Sequence, residues 1–217
     1  MNRRASLLVA VALTLGGCQL YRVRPGAETW REHVKTIGIL SAIRVEEVSP
    51  GGVVEVNADG TAKAARTVVR VLGDGLKARK LKAKPLSWDR DPELDEVRLL
   101  YAEVASAIWR YTYPPYPFPP KRERFDYTVG PVGGILDRAG VDVLLVAAGA
   151  GKTDANGQPL WTLGGQSFTI LTLGLIDRSG DVVWFDVGGG RAVDLRSEAD
   201  VQQTVDKLLS ELPGAGQ

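Results

Sequence analysis

The chain has one cysteine, Cys18, and one histidine, His33, in 217 residues. A single thiol allows no internal disulfide, so apolar burial has to hold any fold together. Zinc sites of the His/Cys type lack ligands, and a Ser-His-Asp or Cys-His arrangement would have to recruit His33. That residue follows the leading segment and reads as a solvated side chain ahead of the first strand. Twenty-seven basic residues meet 26 acidic ones, a net charge of +1, which leaves no long-range field to attract nucleic acid. After the first 15 residues no apolar run approaches the length of a membrane span. There is no internal repeat, and no linker long enough to divide the chain.

What is present begins at the front. Asn2, Arg3 and Arg4 form a basic opening, and Ala5 to Leu15 an apolar run too short to cross a bilayer as a helix. The small pair Gly16-Gly17 lets a peptidase approach the backbone, and Cys18 follows at once. Leu15-Gly16-Gly17-Cys18 resembles the bacterial lipobox. The resemblance implies cleavage after residue 17, diacylation of the Cys18 sulfur and acylation of its new amine, as with a palmitate-bearing lipoprotein. Each buried methylene contributes roughly 0.8 kcal/mol, so three chains hold far more firmly than one. Gln19 stands where an Asp would resemble the inner-membrane retention signal, which implies the outer membrane, facing the periplasm. Removing residues 1–17 leaves about 200 residues, enough for one core. With 44% apolar residues the remainder is globular in composition.

Residues 18–33 read as a basic, Pro-containing tether, and 34–213 as one folded domain with a short tail at 214–217. Val34 to Ala42 is a buried strand by its β-branched content, with Ile43 to Val48 continuing it. Turn signals at Pro50-Gly51-Gly52 and Asn57-Ala58-Asp59-Gly60 flank a short strand at 53–56. Ala62, Ala65, Val68, Leu72 and Leu76 then recur at helical spacing, with Gly73 and Gly75 expected to weaken or end that helix. Lys82 to Trp88 suggests another strand. Asp91-Pro92-Glu93 opens a helix with a capping carboxylate, Pro at the first position and acid on the positive dipole end. Leu94, Val97, Tyr101, Val104 and Ile108 mark its inner face. Five prolines between Tyr113 and Phe125 favour an extended polyproline run. A short helix over 131–139 precedes the aliphatic strand Val141 to Ala148. Strands at 167–177 and 181–187 form an antiparallel hairpin across Arg178-Ser179-Gly180. Ser197 and Asp200 cap a last helix whose apolar face is Val201, Val205, Leu208, Leu209 and Leu212.

This order specifies an α/β fold: a single three-layer-like domain whose mixed parallel/antiparallel sheet is flanked by helices. The same order over 34–212 resembles the α/β domain of TolB amino-terminal, CsgG-type and LpoB-type envelope proteins. Those relatives imply protein-binding or secretion-accessory work without catalysis.

Val146 to Thr153 imitates a phosphate loop but has Val where the first Gly is required, and a turn at 154–159 where a helix should begin, so no nucleotide is expected. Tyr113, Tyr116 and Phe118, followed by Lys121, Arg122 and Arg124, are the residue types that anchor interfaces. Tyr113, Tyr116, Phe118, Arg122 and Arg124 are therefore the candidate partner-binding residues; the competing reading folds those rings onto the domain's own core. Asp89, Asp91, Glu93, Asp95 and Glu96 are explained by a helix start, while Asp126 and Asp186 have no visible partner. Trp161 and Trp184 read as core or sheet-face residues. The expectation is a lipid-anchored periplasmic accessory protein, non-catalytic, without cofactor or metal. It would be held to the membrane by acyl chains on Cys18 and would bind an envelope protein. The alternatives are a carboxylate-dependent peptidoglycan or glycan hydrolase, which needs two facing carboxylates, and a secretion-assembly subunit, which needs an exposed sheet edge around Ile43 to Val56.

Overall fold

Two long strands set the frame. In the computed structural model, which describes residues 21–115, 117–154, 156, 169–190 and 193–214, β2 (Thr36–Val48) and β5 (Val143–Asp154) run parallel. Their register extends from Ile37 opposite Val143 to Val48 opposite Asp154. β6 (Thr169–Ile176) and β7 (Val182–Gly190) continue the sheet antiparallel, and β1 (Arg22–Val23) closes that edge on β7. On the other flank β2 takes two short partners end to end. These are β4 (Lys82–Pro85), parallel to its first half, and β3 (Val54–Val56), antiparallel to its last three residues. The order is β1-β7-β6-β5-β2-β3, with β4 also on β2. The expected 178–180 hairpin is present, closed by Gly180 N donating to Asp177 O at 3.0 Å.

Helices cover both faces. α1 (Ala58–Ala78) starts where Asn57 Oδ1 accepts from Gly60 N at 2.6 Å, and α5 (Glu198–Ser210) where Ser197 accepts from Asp200 N. Both pack on Ile37, Ile39, Ile43, Val45, Leu171 and Leu173. α1 does not end at its glycines. A Cβ on Gly75 would lie 2.7 Å from Leu209 Cδ1, so the glycine permits the close α1–α5 contact. Packing there offsets the ~1 kcal/mol that Gly costs a helix. The opposite face receives α2 (Pro92–Thr112), capped by Asp91, and α4 (Gly133–Ala139), over Leu40, Leu144, Val146 and Phe185. On α2 the buried row is Leu94, Val97, Tyr101, Ala105 and Ile108, with Ala105 in the place expected for Val104. Tyr101 packs against the sheet at Gly174, where a Cβ would clash with its ring and hydroxyl. The α/β three-layer architecture is the one expected from the element order.

Two local expectations fail. The tether does not extend to residue 33, because residues 21–33 are built into the fold. Arg22–Val23 add a strand, Trp30 is buried, and its Nε1 donates to Pro213 O at 3.1 Å. Burial of a Trp and a row of sheet hydrogen bonds outweighs the entropy of a basic, Pro-containing lead. Nor is 113–125 one polyproline run. Pro119–Arg124 form a short helix, α3, for which Pro at the first positions is well suited, and Phe125 ends it in the left-handed region.

Candidate functional site

The sheet outgrows its cover on one side. Below α2 the sheet presents large side chains, Leu40, Leu144 and Val146, whereas two residues further along each strand it presents Ala42, Ala148 and Ala150. The helix shrinks in step, with Ala102, Ala105 and Ser106 on the facing side. Small groups on both walls leave a cleft of about 700 Å³. Its floor is Ala42, Ala148, Ala150, Ile170 and Thr172, and its wall is Leu99, Ala102, Ser106 and Trp109. The burial of β5 records the change. It is continuous through Ala148 and then alternates, with Ala150 and Lys152 open and Gly151 and Thr153 covered by the α1 side.

Leu99 is 52% and Trp109 41% exposed beside this cleft, and the neighbouring edge strand adds Val54 and Val56. Contiguous apolar surface of this kind marks interaction sites. The rim carries both charges. Arg44 Nε meets Glu46 Oε1 at 2.8 Å, Lys152 Nζ lies 3.6 Å from Glu46 Oε2, and Arg98 stacks over Trp88 at 4.1 Å while bonding Asp95. Glu103 completes the lining.

The five candidate partner-binding residues are divided by the structure. Tyr113 is buried, its ring edge-on to Phe185 at 6.0 Å with the Arg22 guanidinium over its face at 4.4 Å, so it belongs to the core. The physical reason is its position just past α2, where an apolar ring completes the cover over β7. Burial pushes its hydroxyl pKa up. Phe118 is 53% exposed, and Arg122 and Arg124 on α3 are exposed beside it. Tyr116, Cys18 and Trp161 lie outside the described residues, as do the leader 1–17, most of the 154–159 turn and residues 215–217. Trp184 is buried as expected, and His33 is exposed. Val146 to Thr153 is strand throughout, its register set by β2 and, as far as Ala150, by β6.

The carboxylates follow their local structure. Asp142 Oδ2 accepts from Lys35 N and Thr36 N, both at 2.8 Å, and these two bonds hold its carboxyl below the usual range. Asp177 accepts from Ser179 N and Asp181 N in the hairpin turn, and Asp126 pairs with Lys121 at 2.9 Å. Asp186 differs. It is 3% exposed on β7, its Oδ1 accepts from Val187 N at 2.8 Å, and burial pushes its pKa up to about 6. Among the described residues Glu103 is the one carboxylate lining the cleft, and no group of three His, Cys, Asp or Glu side chains is placed to hold a metal. No helix among them is long and apolar enough to cross a membrane.

Sequence reasoning did not single out the cleft residues Ala42, Ala102, Ala148, Ala150 and Trp109. Their signal was a run of small side chains at alternate strand positions, which becomes a cavity only once the register stacks them. No protein family and no curated protein matches the sequence. Among solved structures, the PelC dodecamer from Paraburkholderia phytofirmans is 16% identical, covering 82% of this chain and 86% of that one with a TM-score of 0.36. A point variant of that dodecamer is 15% identical over 83% and 89%, with a TM-score of 0.39. Likeness at that level decides nothing about function.

Proposed function

We propose that this chain is a lipid-anchored periplasmic accessory protein of the bacterial envelope that binds a protein partner and is not a catalyst. The Leu15-Gly16-Gly17-Cys18 segment supports the anchor, and acyl chains would concentrate the domain near an envelope partner. The observation that carries the binding reading is the uncovered half of the sheet face. An apolar floor is walled by Trp109 and Leu99, within a rim of Arg44, Glu46, Arg98, Glu103 and Lys152. That combination fits an apolar segment of an envelope protein flanked by charges of both signs. A photo-crosslinking residue at Ser106 in intact cells should capture one defined envelope protein. Ala150→Arg, which fills the cleft from an exposed position, should abolish that capture at unchanged thermal stability. Capture that persists in the Ala150→Arg protein refutes the reading.

A second reading has its own observation. All three residues of β3 are exposed, and Val54 and Val56 stand on a sheet edge beside the exposed Val53. Such an edge can add a strand from a neighbouring molecule, as a subunit of a secretion assembly would require. The glycan-hydrolase alternative draws no support from the carboxylates. Those lining the hollow near His33, Asp142 and Asp177, are bonded to backbone amides.

A further inference from the structure

The Phe118 surface stands next to the point where the chain leaves for its anchor. Tyr21 is the first described residue, and only Gln19 and Leu20 separate it from Cys18. Whatever their conformation, three residue steps span at most about 11 Å. Arg22 Nη2 donates to Thr112 O at 2.8 Å, and Phe118 N donates to Tyr111 O at 2.6 Å, so the anchor point, the end of α2 and Phe118 are joined by two hydrogen bonds and one residue step. Burial lowers the Arg22 pKa, Tyr113 opposes that shift, and the Arg122 charge adds a smaller lowering. Tyr21 itself packs on the α1/α5 core at the β1 edge, and the Arg22 side chain reaches from that edge to the end of α2, which puts this surface within reach of a bilayer holding an acylated Cys18.

Its composition suits that position. Phe118 is 53% and Tyr111 45% exposed, amphipathic or apolar rings at the rim of the domain. Between residues 110 and 126 four cations, Arg110, Lys121, Arg122 and Arg124, face two acids, Glu123 and Asp126. Asp126 is taken by Lys121 at 2.9 Å, which leaves Arg122 and Arg124 flanking Glu123. Pro117, Pro119, Arg122 and Glu123 line a hollow of about 440 Å³ beside the ring. An interfacial aromatic with neighbouring arginines matches phospholipid headgroups, since the ring sits at the headgroup level and each cation is drawn to an anionic surface.

We infer that the face bearing Phe118, Arg122 and Arg124 docks on the surface of an anionic phospholipid bilayer, so that the anchored domain has one fixed orientation. The inference rests on acylation of Cys18. Only Gln19 and Leu20 link Cys18 to the fold at Tyr21, which limits how far the domain can turn away from the bilayer.

The test uses the acylated protein in vesicles. Acylation blocks the Cys18 sulfur, so Phe118→Cys carries the sole free thiol and Lys77→Cys, exposed on α1, serves as its counterpart. Each is labelled with an environment-sensitive fluorophore in phosphatidylglycerol/phosphatidylethanolamine vesicles doped with nitroxide lipid. The expected result is a blue shift and strong quenching at 118 and neither at 77. Arg122→Glu with Arg124→Glu should cause loss of the shift and quenching at 118, as should replacing the lipid by phosphatidylcholine. Labelling of the unsubstituted chain would show a free Cys18 and defeat the anchor reading itself. An unlabelled parent with equal signals at 118 and 77 would overturn only the docking. So would a silent 118 probe that crosslinks to a protein in cells.

Discussion

Asp186 offers the sharpest test of how the core is built. Its carboxyl is buried on β7, and burial raises its pKa from 3.8 to about 6, more than the Val187 amide and the Lys207 and Arg22 charges lower it. The folded state thus holds a proton that the unfolded chain releases. Stability falls as pH rises through the window from about 4 to about 6, and above it the penalty is complete. Two pKa units at 1.36 kcal/mol each set that penalty on the order of 3 kcal/mol at neutral pH. Asp186→Asn keeps an oxygen able to accept from Val187 N, as Asp186 Oδ1 does at 2.8 Å, and carries no charge. Urea unfolding of parent and variant should therefore differ by up to about 3 kcal/mol in favour of the variant at pH 7.5, or roughly 5–10 °C in Tm, with the gap closing by pH 4. The comparison between the two proteins cancels the other carboxylates, which lose stability on acidification. A variant less stable at pH 7.5, or a gap that does not change with pH, would refute the reasoning.

Tyr113→Ala should cost roughly 3–5 kcal/mol in chemical denaturation, as for other buried aromatics, whereas Phe118→Ser should stay within about 0.5 kcal/mol. Gly174→Ala should destabilise by about 1–3 kcal/mol, because its methyl meets the Tyr101 ring, and Tyr101→Leu in the same chain should recover part of that loss. Asp142→Asn should lower stability at pH 7, with the difference from the parent shrinking as the pH falls below the usual carboxylate range. Its lowered pKa means that the ionised, amide-bonded form stabilises the fold above the unfolded pKa and is lost as pH falls, which thermal melts of both proteins over a series of falling pH values will show.

Fold class was legible because it rests on local period and punctuation. The Asp91 cap, the Leu94/Val97/Tyr101/Ile108 row, Gly140 after α4 and the 178–180 hairpin are each dictated by a few neighbouring residues, and each stands where the pattern places it. The misplaced elements are those in which distant contacts outweigh local preference. Gly75 stays helical because Leu209 packs against it, Trp30 is drawn in by Pro213, and Tyr113 is drawn in by Phe185 and Arg22.

By itself the sequence determined the Leu15-Gly16-Gly17-Cys18 pattern on which the proposed anchor rests, the mixed α/β order and the scarcity of reactive side chains in a chain with one Cys and one His, since these depend on residue identity and short spacing alone. Only the tertiary structure decided that Ala42, Ala148 and Ala150 face Ala102 and Ser106 across a cleft, and that Phe118 is exposed while Tyr113 is sealed inside. A cavity and a surface are relations between strands and helices far apart in the chain, and their register is set by packing that no local pattern encodes.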